Sequence, residues 1–196
     1  MDGKVTIEEH FALPETLGPG SPELHRRLAD FHGERIELMD RCGVAFAILS
    51  LNGPAVQAET ETARAIDMAR RANDLLAGEI GKRPDRLGGF AALPMQDPEA
   101  AIRELERAVG ELGLLGANVN GFSETVGPKT HLYYDQPEYR PFWAAIETLE
   151  VPFYLHPRNP FFDDMPVFDG HPWLTYASWA YAMETAMHAL RLMCGG

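Results

Sequence analysis

The stretch Lys4-Val5-Thr6-Ile7-Glu8-Glu9-His10 decides how the chain is read. Its β-branched opening predicts a strand, and on a strand residues two apart share a face. Glu8 and His10 therefore project side by side where the strand ends. A carboxylate oxygen and a neutral imidazole nitrogen are ordinary ligands of divalent metal ions. A Glu-x-His triplet is common by chance, so the pair needs a third donor. His156, which ends another strand-like run, is the candidate.

Outward from this stretch, strands and helices alternate. A loop rich in Pro and Gly (Leu13 to Pro22) follows the first strand, and Leu24 to Cys42 is helical in part, with Gly43 as its stop. Val44 to Leu51 is a continuous apolar strand of the kind buried on both faces, broken by Asn52-Gly53-Pro54. Glu59 to Lys82 has helical periodicity, with Ala65, Ile66, Ala69, Ala72, Leu76 and Ile80 inward. Leu87 to Leu93 is the third strand. Asp97-Pro98-Glu99 opens a helix with a capping Asp and Pro at its first position, and Ile102, Leu105, Val109 and Leu112 form its apolar stripe. Gly116 to Asn120 is the fourth strand, Arg140 to Leu149 a helix, Val151 to His156 the fifth strand, and Ala177 to Met193 the last helix.

This alternation predicts an α/β fold of parallel strands joined by right-handed crossovers. Periodicity alone allows both an open doubly wound sheet and a barrel. Glycine-rich dinucleotide and phosphate-loop signatures are absent. In a barrel, functional residues gather at the C-terminal ends of strands. Glu8, His10 and His156 do so, and Asn52 and Asn120 follow or end the second and fourth strands. About five units do not close an eight-stranded barrel, so residues 1–196 are expected to be the N-terminal portion of a larger single domain.

The net charge of −12 argues against phosphate-backbone binding and against anionic membrane surfaces. It leaves open an anionic small substrate, because a bound cation reverses the local field. Cys42 and Cys194 lack CxxC partners and are expected as small buried hydrophobes. The opening Met1-Asp2-Gly3-Lys4 lacks the apolar core of a signal peptide, and no apolar run reaches membrane-spanning length. The expectation is a soluble, reduced, cytoplasmic protein.

Several segments carry a resemblance. Gly3 to Thr16, Ser50-Leu51-Asn52-Gly53-Pro54-Ala55-Val56-Gln57, Phe90 to Pro98, Val119-Asn120-Gly121-Phe122, Leu132-Tyr133-Tyr134-Asp135 and Val151 to Pro160 together resemble the metal-dependent aromatic-acid decarboxylases of the amidohydrolase superfamily. The resemblance covers nearly the whole chain. It implies a (β/α)8 TIM-type barrel, incomplete here, with one divalent ion (zinc or manganese) and no organic cofactor. Glu8, His10 and His156 match the family's metal ligands, and Asn120 matches a substrate-contacting asparagine. Tyr181 falls where a relative has a pocket phenylalanine, so it is carried over as a substrate contact. The implied reaction is reversible, non-oxidative decarboxylation of a small aromatic carboxylic acid, a hydroxylated benzoic acid such as 2,6-dihydroxybenzoate, by a homo-oligomeric carbon–carbon lyase. The family's His-x-Gly-Glu motif and its later proton-handling aspartate have no position in these residues. No catalytic residue is therefore assigned, and turnover by the 196-residue chain is expected to be impaired.

Two other functions remain open at this point: metal-dependent hydrolysis of a small ester, lactone or amide, and a non-catalytic subunit pairing with a longer relative. Local alternatives also stand. His156 also suits a strand-end histidine held by a backbone carbonyl, and Asn120 a turn residue satisfying backbone groups. His25, His32, His131, His171 and His188 are read as surface or structural, with His188 in a helix-packing position. Phe161-Phe162-Asp163-Asp164 is read as a solvated loop.

Overall fold

Parallel pairing of the first two strands anchors the architecture. In the computed structural model, which describes residues 3–18, 20–126, 131–162 and 165–195, β1 (Lys4–Phe11) lies along β2 (Val44–Leu51) from Lys4 opposite Val44 to Phe11 opposite Leu51. Thr6 to Glu9 on β1 faces only Ala47 to Leu49 on β2, so β1 carries one extra residue just where Glu8 sits. Such a bulge re-aims the side chains around it.

β2 pairs in parallel with β3 (Leu87–Gly89), and β4 (Ala117–Val119) with β7 (Phe153–Leu155). A single bridge, Ala91 opposite Ala117, joins the two groups. The result is an arc of parallel strands in the order β1, β2, β3, β4, β7, which does not close into a barrel among the described residues. Between β4 and β7 lies a short antiparallel pair, β5 (Ser123–Glu124) with β6 (His131–Leu132), which the periodicity did not show.

The third, fourth and fifth strands are shorter than their apolar runs; past the ends of the third and fourth, side-chain amides take over from the ladder. Asn73 accepts the N–H of Ala92 at 2.8 Å and donates to its carbonyl at 2.9 Å, standing in for a neighbouring strand. Asn73 also donates to Glu104, and Arg107 holds Glu104 and Asp74. This buried polar clamp ties α3 (Thr62–Ile80) to α4 (Pro98–Gly110).

The helices follow their local signals. Asp97 accepts the N–H of Ala100 at 3.0 Å to cap α4. The partly helical stretch from Leu24 to Cys42 resolves into two helices, α1 (Pro22–Ala29) and α2 (Glu34–Cys42). Asp30 separates them: its carboxylate accepts the backbone N–H groups of His32, Gly33 and Arg35. Gly43 ends α2 at φ +68°, a conformation that favours glycine. The inward faces of α3 (Ala65, Ala69, Ala72, Leu76) and α4 (Ala101, Leu105, Ala108) are fully buried in one core with Leu49, Leu51, Leu87, Leu93 and Val119. In α4 the innermost positions are thus Ala101, Leu105 and Ala108, while Ile102, Val109 and Leu112 are only partly buried. α5 (Arg140–Leu149) packs on the same core through Phe142.

α6 (Ala180–Gly195) docks through polar groups. Glu184, His188 and Arg191 fall on one stripe and meet Tyr133, Tyr134 and Asp135. Tyr133 donates to Glu184 at 2.9 Å, the Tyr134 N–H donates to His188 Nε2 at 3.3 Å, and Arg191 holds both oxygens of Asp135. His188 is therefore a packing residue, and burial lowers its pKa from 6.5 to about 4. Cys42 and Cys194 depart from expectation: both are exposed, because they lie at the ends of α2 and α6 rather than on inward faces. No described helix is long and apolar enough to cross a membrane.

Two outcomes follow for stability. Asn73→Ala strands two buried backbone groups and is expected to cost on the order of 3 kcal/mol in urea unfolding, against less than about 1 kcal/mol for Asp74→Ala on the exposed side. His188 stays neutral in the fold while the unfolded chain takes up a proton at 6.5, so folding weakens as pH falls from 6.5 towards 4. His188→Gln should flatten that part of the pH–stability curve and leave stability above about pH 7 little changed.

Candidate metal centre

Glu8 and His10 come from the end of β1, and His156 follows β7 directly. The two strands stand at opposite ends of the arc, yet their side chains meet across its interior. One ligand atom from each of Glu8, His10 and His156 lies within 4.8 Å of the others. The rings of His10 and His156 meet edge to face at 4.8 Å, and Glu8 Oε1 is 3.6 Å from His156 Nε2.

Each donor is held by its own surroundings. The His156 N–H donates to the Val119 carbonyl at 2.9 Å, which carries the β4–β7 ladder one residue further. Arg35, reaching over from α2, donates to the His10 carbonyl at 2.7 Å and to the Asp30 carbonyl at 2.8 Å. Ser50 Oγ on β2 lies 3.5 Å from His10 Nδ1. Tyr154, two residues before His156, donates a hydrogen bond to Glu8 Oε2.

Burial sets the protonation state. It lowers the pKa of His10, and it lowers that of His156 to about 4 with help from the neighbouring His10. Both imidazoles are thus neutral at pH 7, with nitrogen lone pairs available to a cation. Bonds of ~2.0–2.2 Å keep the ligands of one ion within about 4.4 Å of each other. A cluster already within 4.8 Å needs only small side-chain rotations to reach that spacing, so one carboxylate and two neutral imidazoles fit a single divalent metal ion.

The other candidates sit elsewhere on the rim. Asn120 is 3 % exposed and ends the β4 run. Its N–H donates to Gln57 Oε1 at 3.2 Å, its side-chain amide reaches the Leu51 carbonyl at 3.4 Å, and its Oδ1 is buried without a hydrogen-bond partner. Gln57 also donates to the Leu93 carbonyl at 2.9 Å, so one buried amide connects the segment after β3 to the residue after β4. Arg158 staples the loops after β4 and β7: it donates to the Phe122 carbonyl at 2.8 Å and to Glu124 at 2.5 Å, and its guanidinium lies 3.9 Å from the centre of the Phe122 ring. Gly121, at φ +66°, leaves room for the Arg158 stem, which a Cβ would meet at 2.5 Å. Tyr181 is half-buried at the start of α6, with its ring 6.1 Å from that of Tyr176 and outside the three-donor cluster. Of the 161–164 segment, Phe161 packs on Phe122 and His131, whereas Asp163 and Asp164 lie outside the described residues.

Sequence reading missed Arg35, Gln57 as a holder of Asn120, and Tyr154. Only Tyr154 carried a signal, its position two residues from His156 on the same strand. The contacts of Arg35 and Gln57 depend on chain crossings that no spacing displays.

The sequence profile of the amidohydrolase family matches residues 7–192. The chain belongs to the amidohydrolase family. This amidohydrolase is 58% identical over 207 residues to the gamma-resorcylate decarboxylase of Rhodococcus jostii, an alignment covering 100% of the chain and 63% of that protein. It superimposes on the crystal structure of 2,6-dihydroxybenzoate decarboxylase from Rhizobium with a TM-score of 0.94 and 58% identity, covering 100% of this chain and 62% of that one. A dihydroxybenzoic acid decarboxylase from Polaromonas, solved with bound manganese and the inhibitor 2-nitroresorcinol, gives a TM-score of 0.93 and 55% identity over 98% of this chain and 60% of its own. The amidohydrolase chain thus spans less than two thirds of the length of these relatives.

Added Mn2+ should raise the melting temperature of the chain, with about 2.7 kcal/mol of stabilisation at a hundred-fold excess over Kd. His156→Ala should abolish the shift. Because both imidazoles are held below their ordinary pKa, the shift should fade only at a lower pH than a free imidazole pair would give, as differential scanning fluorimetry can show.

Proposed function

We propose that this chain carries the metal-binding part of a carboxy-lyase that removes CO2, reversibly and without oxidation, from a hydroxylated benzoic acid of the 2,6-dihydroxybenzoate type. The observation that carries the proposal is the convergence of Glu8, His10 and His156, from strands at opposite ends of the arc, to within 4.8 Å. The gamma-resorcylate and dihydroxybenzoate decarboxylases at 55–58% identity support the substrate class. In this proposal the five parallel strands are part of a single (β/α)8 barrel domain.

Glu8, His10 and His156 would hold one manganese or zinc ion. Such an ion supplies Lewis acidity and a template for the carboxylate and the adjacent ring hydroxyl. The chain's residues do the rest of the positioning. Neutral His10 and His156 add no positive charge to the site, while Glu8 adds one negative charge, so a bound divalent ion leaves a net positive field for an anionic acid. The unpartnered Asn120 Oδ1 is suited to accept a hydrogen bond from a ring hydroxyl, and leaving it buried without a partner would cost about 1–3 kcal/mol. Tyr181 would contribute ring contact at the pocket wall. Decarboxylation replaces the ring C–COO− bond with C–H, consuming one proton and releasing CO2. No residue of this chain is assigned as the donor of that proton.

The proposal extends to self-association, which the exposed Trp173 and Tyr176 favour, and to a cytoplasmic location, in keeping with a metabolic role.

Calorimetry with 2,6-dihydroxybenzoate should show binding that requires Mn2+ and is lost in Glu8→Gln. CO2 release by the 196-residue chain should be far slower than by the longer Rhizobium relative. Proton release from simple lactones, with neither binding nor decarboxylation of the dihydroxybenzoate, would replace this proposal with hydrolysis.

A further inference from the structure

We propose that Tyr154 is a positioning residue that presets the Glu8 carboxylate for the metal ion. The inference rests on the metal reading above and goes beyond it by assigning a role outside the ligand set. Tyr154 and His156 lie two apart at the end of β7, so their side chains leave the same face of the strand. Across 146 positions of sequence, the Tyr154 hydroxyl donates to Glu8 Oε2, while Glu8 Oε1 lies 3.6 Å from His156 Nε2.

A phenol has one O–H to give. Spent on Oε2, it leaves Oε1, the oxygen on the histidine side, for the cation. This selects which carboxylate oxygen the ion meets. It also restrains a long side chain that is 47% exposed and that no other hydrogen bond holds among the described residues. Tyr154 is itself fixed by Phe90, whose ring lies nearly parallel to it at 15° with centroids 6.3 Å apart. Phe90 is buried, so the phenol is anchored to the core at one end and to the carboxylate at the other. Partners that orient a metal ligand in this way are commonly worth ten- to a hundred-fold in metal affinity.

The test is Mn2+ affinity of the 196-residue chain at neutral pH, read from the electron paramagnetic resonance signal of free Mn2+. Tyr154→Phe removes one oxygen and keeps the ring. It should raise the Kd for Mn2+ about ten-fold or more, with an unchanged melting temperature in the absence of metal. Tyr133→Phe, which breaks the comparable bond to Glu184 on α6, should leave the Kd unchanged. Equal affinity in Tyr154→Phe and the wild type would overturn the proposal. So would an equal loss in Tyr133→Phe, or a Tyr154→Phe chain that no longer melts cooperatively without metal, since either marks the bond as structural. A wild-type chain that binds no Mn2+ would overturn the metal reading itself and this proposal with it.

Discussion

The parallel ladder between β1 and β2 is the constraint on which the rest depends. It fixes the height at which β1 ends, with Phe11 opposite Leu51, and so the rim on which Glu8 and His10 stand. Because a parallel partner needs a crossover, each further strand brings a helix that must be buried against the sheet. The alanine faces of α3 and α4 let those helices approach closely. The curvature of the resulting arc carries β7 round until His156 faces β1. A metal-ligand set split across about 150 residues thus depends on backbone pairing much more than on local sequence.

Short strands would leave backbone groups unsatisfied near the rim, and buried amides and one guanidinium fill that role. Asn73 holds Ala92, Gln57 joins Leu93 to Asn120, and Arg158 ties Phe122 and Glu124 to the segment after β7. Each unmet buried group would cost about 1–3 kcal/mol, comparable with a large part of a domain's net stability. The rim is therefore a polar frame set on an apolar core.

Much of this was legible in the sequence. The apolar run Val44 to Leu51 and the helix Arg140 to Leu149 match the observed elements to the residue, because hydrophobic patterning is a local signal. The pairing of Glu8 with His10 followed from strand alternation, and the approach of His156 from its strand-end position. What was not legible depends on distant partners. The break between α1 and α2 needs the three bonds accepted by Asp30, and the early end of β3 needs Asn73 from another helix. The β5–β6 pair is too short for any periodicity to appear. The exposure of Cys42 and Cys194 could not be read from residue type alone, since cysteine favours the interior only on average.

The docking of α6 has a mechanical consequence. Apolar helix faces tolerate sliding, because one methyl contact replaces another at little cost. Directional bonds from Glu184, His188 and Arg191 to three successive residues, Tyr133 to Asp135, admit one alignment only. The register of this helix is thereby tied to the segment that follows β6, so any shift of one must break or carry along the bonds of the other.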